Sequence, residues 1–242
     1  MRDSSLRRRA VAEALGTALL LVAVVGSGIA AERLSPGQTG LELFESAVAT
    51  GGALAVIILA LGPVSGAHLN PAVSLVDAAL GGLRQRELLA YIAAQLIGAA
   101  VGVMVANLMF SLPPVNISAH LRSGPGLWLG ELVATFGLLL VIFGVGRTGR
   151  HTIVPFAVGA YITGAYFFTS STSFANPAVT LGRTLSDTFA GISPASVPAF
   201  ITAELFGAAI AWLAIRYLHP EARDISAIVV VPHPSDSETA KS

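Results

Sequence analysis

The chain has no cysteine, and only 12% of its 242 residues are charged. The first absence excludes disulfides, thiol catalysis and Cys-ligated metal sites, and leaves thiol-directed reagents without a target. The second, with 54% hydrophobic residues and a mean hydropathy of +0.74, makes the chain too apolar for a soluble domain of its size. Its formal net charge is zero and its arginines sit in short clusters between apolar runs, so nothing in the charge pattern suggests nucleic acid or an acidic partner. No nucleophile–base pair and no metal-ligand cluster appears either. An enzyme is therefore not expected, and no cofactor is implied.

What remains is six long apolar runs, each approaching the ~20 residues that cross a bilayer as a helix. An outer-membrane barrel would instead show alternating strands of about ten residues. The expected fold is an all-α membrane protein. The spans are placed at about Ala10–Ala31, Phe44–Gly62, Glu87–Phe110, Leu127–Gly146, Ile153–Phe168 and Val197–Leu218, after a basic leader 1–9 and before a tail 219–242 that is polar apart from the run Ile225 to Val231. The first run is too long for the apolar core of a signal peptide. With the N-terminus inside, eleven of the fourteen basic residues fall on the cytoplasmic side: Arg2, Arg7, Arg8, Arg9, Arg84, Arg86, Arg147, Arg150, Arg216, Arg223 and Lys241. Only Arg33, Arg122 and Arg183 fall outside. This bias places both termini in the cytoplasm.

Two Asn-Pro-Ala triplets, Asn70-Pro71-Ala72 and Asn176-Pro177-Ala178, interrupt this pattern. Each puts Asn at an N-cap and Pro in a first helical turn, and each opens an apolar piece too short to cross: Ala72 to Leu80, and Pro177 to about Leu185. The chain also repeats itself. The segment Tyr91 to Ala100 matches Phe200 to Ala209, and the triplets recur at nearly the same offset. Three spans per half is an odd number, so the second half (about 127–218) enters from the opposite side to the first (about 10–110). Two re-entrant half-helices then point at one another near the midplane, an inverted 3+3 repeat. Non-helical backbone is tolerated at that depth where protein buries it or a water-filled cavity meets it, and a pore is the natural reason. Gly98 with Gly102, and Gly207 with Ala211, form small-residue faces suited to close helix packing within one bundle.

The run Ser65-Gly66-Ala67-His68-Leu69-Asn70-Pro71-Ala72-Val73, the second triplet, the acid-bearing starts Ala12-Glu13-Ala14-Leu15-Gly16-Thr17 and Gly130-Glu131-Leu132-Val133-Ala134-Thr135, and Ala94-Gln95-Leu96-Ile97-Gly98 together resemble the aquaporin and aquaglyceroporin (major intrinsic protein) family. The resemblance covers about residues 8 to 218. It implies six transmembrane helices with two half-helices, a homotetramer with one pore per subunit, and passive flow of water or small uncharged solutes. It also implies that Glu13 and Glu131 accept hydrogen bonds from loop backbone and brace the half-helices, with Glu204 opposite Gln95 doing similar work. His68 is expected at the cytoplasmic vestibule, as a lining group or as loop packing.

Counting from the triplets as the family does places a selectivity filter at Thr50, Gly164, Ser173 and Val179. Most members carry an aromatic at the first position and Arg at the fourth. Neither is present here. The expected ring is wider than usual, uncharged and half apolar, leaving cation exclusion to the half-helix dipoles; Arg183, four residues beyond Val179, either faces the outer vestibule or swings back as a substitute. Thr50 with Val179 and the run Arg183 to Thr188 resemble bacterial aquaglyceroporins associated with arsenic resistance, which adds arsenite and methylated arsenicals to water and glycerol-like polyols as expected solutes, and a bacterial inner membrane as the expected location. A water-selective aquaporin, a secondary transporter with broken helices and a purely structural membrane protein are the alternatives.

Overall fold

Among the described residues, 5–146 and 151–218, the computed structural model contains eight α-helices and two 3-10 turns. The helices are α1 (Leu6–Leu34), α2 (Thr39–Ser65), α3 (Pro71–Leu80), α4 (Gln85–Met109), α5 (Pro125–Gly146), α6 (Val154–Phe168), α7 (Pro177–Gly182) and α8 (Val197–Leu218). The 3-10 turns, Arg183–Leu185 and Pro194–Ser196, follow α7 and precede α8. Arg2, Arg147, Arg150, Arg223 and Lys241 of the charge count, and the tail 219–242, lie outside the described residues.

By length and composition α1, α2, α4, α5 and α8 can each cross a bilayer. The fifth expected span, α6, has only 15 residues, about 22 Å at 1.5 Å per residue. Pro155 near its start and the turn at 151–153 hold it to that length. Large apolar side chains face outward along the crossing helices, among them Val11, Leu15 and Leu19 on α1, Ile97 and Val101 on α4, and Phe206, Ile210 and Leu213 on α8. Such stripes would be a liability in water and are the surface a lipid bilayer requires.

The start of the chain departs from the expected leader. α1 begins at Leu6, and Arg9 is a buried member of its first turns, paired with Glu87 at 3.0 Å and donating to the Tyr91 hydroxyl at 2.8 Å. An arginine paired in this way joins the bundle despite its charge. α2 runs past the expected end at Gly62, with Pro63 inside it, on to Ser65, and closes at Gly66 in the left-handed region. That is where glycine commonly ends a helix.

The two halves pair their helices alike. α1 packs on α2 and α4 as α5 packs on α6 and α8, and each half-helix, α3 and α7, lies against both α4 and α8. The small-residue faces act inside this bundle. A methyl group on Gly98 or Gly102 would run into the backbone carbonyls of Ala14 and Ala18 on α1, and one on Gly207 into the carbonyl of Leu132 on α5. Without a hydrophobic force between helices in lipid, such close backbone approach supplies the packing that holds them together.

Candidate functional site

The site grows from the two half-helix starts. Asn70 caps α3 by accepting from the Ala72 amide at 2.8 Å, and Asn176 caps α7 by accepting from Ala178 at 3.0 Å and Val179 at 3.3 Å. Each Asn also reaches across. The Asn70 amide donates to the Ala175 carbonyl at 2.7 Å, and the Asn176 amide donates to the Leu69 carbonyl at 2.8 Å. An Asn amide has two N–H groups, so one of each pair is committed to this brace.

The loops leading into the triplets carry the same backbone strain. Ala67 and Leu69 in the first, and Ser173 and Ala175 in the second, all have positive φ between 47° and 53°. Non-glycine residues hold that conformation only where the surroundings over-determine it. The acids provide the constraint. Glu13 accepts from the amides of His68 (3.0 Å) and Leu69 (2.7 Å), the Ser65 hydroxyl (2.6 Å) and the Gln95 amide (2.8 Å). Glu131 accepts from the amides of Phe174 (2.9 Å) and Ala175 (2.7 Å). Ala67, His68, Leu69 and Ala175 of these braced loops line the cavity described below.

The halves differ at one place. Where Gln95 donates to Glu13 and to Ser74 (3.0 Å), the second half has Glu204, whose Oε1 accepts from the Thr180 hydroxyl (2.6 Å) and the Asn176 backbone amide (3.3 Å).

A cavity of about 60 Å³ runs past both triplets. Apolar side chains line it, from Leu20 and Val24 on α1, Leu54 and Ile58 on α2, Leu138 and Ile142 on α5, and Val154, Val158 and Ile162 on α6. Polar groups line it as well: His68, Asn70, Ser173 and Asn176 from the loops and triplets, and Thr50 on the same face of α2 as Leu54 and Ile58. The His68 ring is tied down by Ser74 at Nδ1 (3.1 Å) and packs edge-on to Tyr91. It is both loop packing and cavity lining.

Of the four counted filter positions, Thr50, Ser173 and Val179 line this cavity together. Gly164 does not. A methyl there would meet the Phe168 ring, and the cavity-facing residues of α6 follow the spacing Val154, Val158, Ile162, Tyr166. Two residues from Tyr166 is about 200° around a helix, which turns Gly164 away. Tyr166 stands in its place, its hydroxyl donating to Thr50 at 3.3 Å.

The expectation of an uncharged ring also needs correction. Arg183 lines the same cavity. It lies four residues beyond Val179, at the start of the 3-10 turn that follows α7. It is 4% exposed, its Nε donates to the Ala190 carbonyl, and its guanidinium stacks 3.5 Å from the centre of the Phe174 ring. Arg122, on the loop after α4, approaches the same ring at 5.3 Å and donates to the carbonyls of Gly191 (2.9 Å) and Phe189 (3.1 Å). Burial pulls the Arg122 guanidinium below its ordinary range, opposed by the charge of Glu131. Tyr166, Arg183, Phe174 and Arg122 were not singled out for the filter by counting. The four-residue spacing along α6 was the available signal for Tyr166.

The chain matches the family model "Major intrinsic protein" over residues 1–173. It is 52% identical to an aquaglyceroporin, AqpS, of Rhizobium meliloti (strain 1021) over 225 residues, 93% of this chain and 96% of the relative. It is 32% identical to a probable aquaporin, AqpM, of Archaeoglobus fulgidus, covering 90% of this chain and 99% of that one. The fold is similar to the X-ray structure of the aquaglyceroporin from Plasmodium falciparum, with a TM-score of 0.69 at 23% identity, over 90% of this chain and 99% of the other.

Proposed function

The chain belongs to the major intrinsic protein family, and from that premise we propose that this integral membrane protein is a passive channel for small neutral solutes wider than water: glycerol-like polyols, urea and metalloid hydroxides such as arsenite, with water passing as well. The observation that carries this reading is the mixed lining of the cavity, aliphatic side chains of four helices together with polar groups of the loops and triplets. A polyol has both carbon-bound hydrogens and hydroxyls, and such a lining can meet both. The AqpS relative, itself called an aquaglyceroporin, supports the same reading.

In this account the size limit falls to Thr50, Ser173 and Val179, with Tyr166 in the place counted to Gly164. Solute oxygens accept the uncommitted N–H of Asn70 and of Asn176 while passing between the triplets. Each half-helix start carries about half a positive charge, so a cation meets two of them at the centre. Glu13 and Glu131 hold the loop backbones that line the cavity. The subunit is proposed to work as one of four in a homotetramer, in a bacterial inner membrane with both termini cytoplasmic.

The substitution Val179→Arg tests the filter. It places a charged, bulky group in the ring, and glycerol flux into proteoliposomes should fall at least tenfold while water flux persists. Equal glycerol flux in the variant would remove Val179 from the filter. A water-selective channel is the second reading, supported by the aquaporin relative from Archaeoglobus; it requires that the unmodified chain pass water and no glycerol.

A further inference from the structure

Replacing a filter arginine by Val179 removes the charge from the expected position, yet a guanidinium still reaches the cavity. We propose that Arg183 is the charge-selecting residue of this channel, so that the limit on size and the barrier to cations are set by different residues. This rests on the channel reading above.

Three observations carry it. First, Arg183 lines the central cavity together with Val179 and also lines an adjoining space of about 180 Å³, bounded by Thr39, Ser46, Arg122 and Tyr166. It therefore stands at the junction that a solute crosses between the two. Second, the side chain is fixed rather than free. Nε is held by the Ala190 carbonyl and the flat face lies against Phe174, which leaves the two terminal amino groups without a hydrogen-bond partner among the described residues. A guanidinium stacked on an aromatic keeps its edge donors available, and that edge is what meets a solute oxygen. Third, no carboxylate is among the described residues lining either space, while Arg122 adds a second cation. Glu131 and Glu204 sit behind the loop, engaged by its backbone.

The consequence is a division of labour. A filter arginine at the position of Val179 would both narrow the ring and charge it. Here the guanidinium lies stacked to one side, so the ring stays open to solutes larger than water while cations and protons meet a fixed positive charge. Neutral oxygens gain donors on the same edge.

The experiment uses the full chain reconstituted in proteoliposomes, reading glycerol flux by light scattering and proton leak by a trapped pH-sensitive dye. Arg183→Leu should raise proton leak at least tenfold while glycerol still enters faster than into empty vesicles. Arg183→Lys should return the leak toward the original level. Arg183→Gln keeps a donor for the Ala190 carbonyl while removing the charge; it decides the matter if the Leu variant does not fold, and it too should leak. Charge-free variants that carry glycerol but leak no more than the unmodified chain would overturn the assignment. An unmodified chain without glycerol flux would instead overturn the channel reading on which it rests.

Discussion

Asn70 donates its side-chain amide to the backbone carbonyl of Ala175, 105 residues away, at 2.7 Å. Asn176 returns the bond to Leu69, so each triplet is closed by the other half of the chain. The half-helices are thus held end to end by the asparagines that cap them. Asn70→Asp separates these two duties: a carboxylate still caps α3 but cannot donate to Ala175. The variant should lose about 1–3 kcal/mol of stability, read as a lower midpoint of thermal unfolding in detergent. An unchanged midpoint would mean that the cross-brace contributes nothing.

Glu13 takes four hydrogen bonds in a dry interior. Glu13→Ala leaves four donors unpartnered, at about 1–3 kcal/mol for each that water cannot reach, and should be among the most destabilising changes in the first half. A folded variant with normal thermal stability would contradict the bracing role.

Glu204 occupies the place that Gln95 holds in the first half. Glu204→Gln replaces a carboxyl beside Glu131 by an amide that can donate to it, so its unfolding midpoint should match or exceed that of the unmodified chain. Glu204→Ala should lower it. A Gln variant as unstable as the Ala variant would show that the carboxyl itself is required.

Gly98 and Gly207 touch backbone carbonyls across helix pairs, whereas Gly52 faces open space. Gly98→Ala and Gly207→Ala should each lower thermal stability by an amount typical of overpacking, about 1–3 kcal/mol. Gly52→Ala should change it little. Equal effects at all three would refute the close-approach account.

Much of the architecture was readable because it is written twice. The triplets, the acids at Glu13 and Glu131 and the Gln95/Glu204 match recur in the same order in each half, and the helix pairings of the two halves repeat accordingly. What escaped was set by side-chain reach and helix phase. Counting backward from Asn176 reached Gly164, but the cavity face of α6 is fixed by packing, which selects Tyr166. Arg183 reads as one turn too distant to join Val179, and only the short α7, with the Phe174 ring and the Ala190 carbonyl to hold the side chain, brings it in. Arg9 reads as leader charge until Glu87 and Tyr91 are folded against it.

The most direct test of the channel account is stopped-flow light scattering on proteoliposomes of the unmodified chain, comparing water and glycerol permeability with empty vesicles. The account predicts that both exceed the empty-vesicle rate, glycerol by at least tenfold, without dependence on a proton gradient. Water flux with glycerol at the empty-vesicle rate, or glycerol flux that requires a proton gradient, would contradict it.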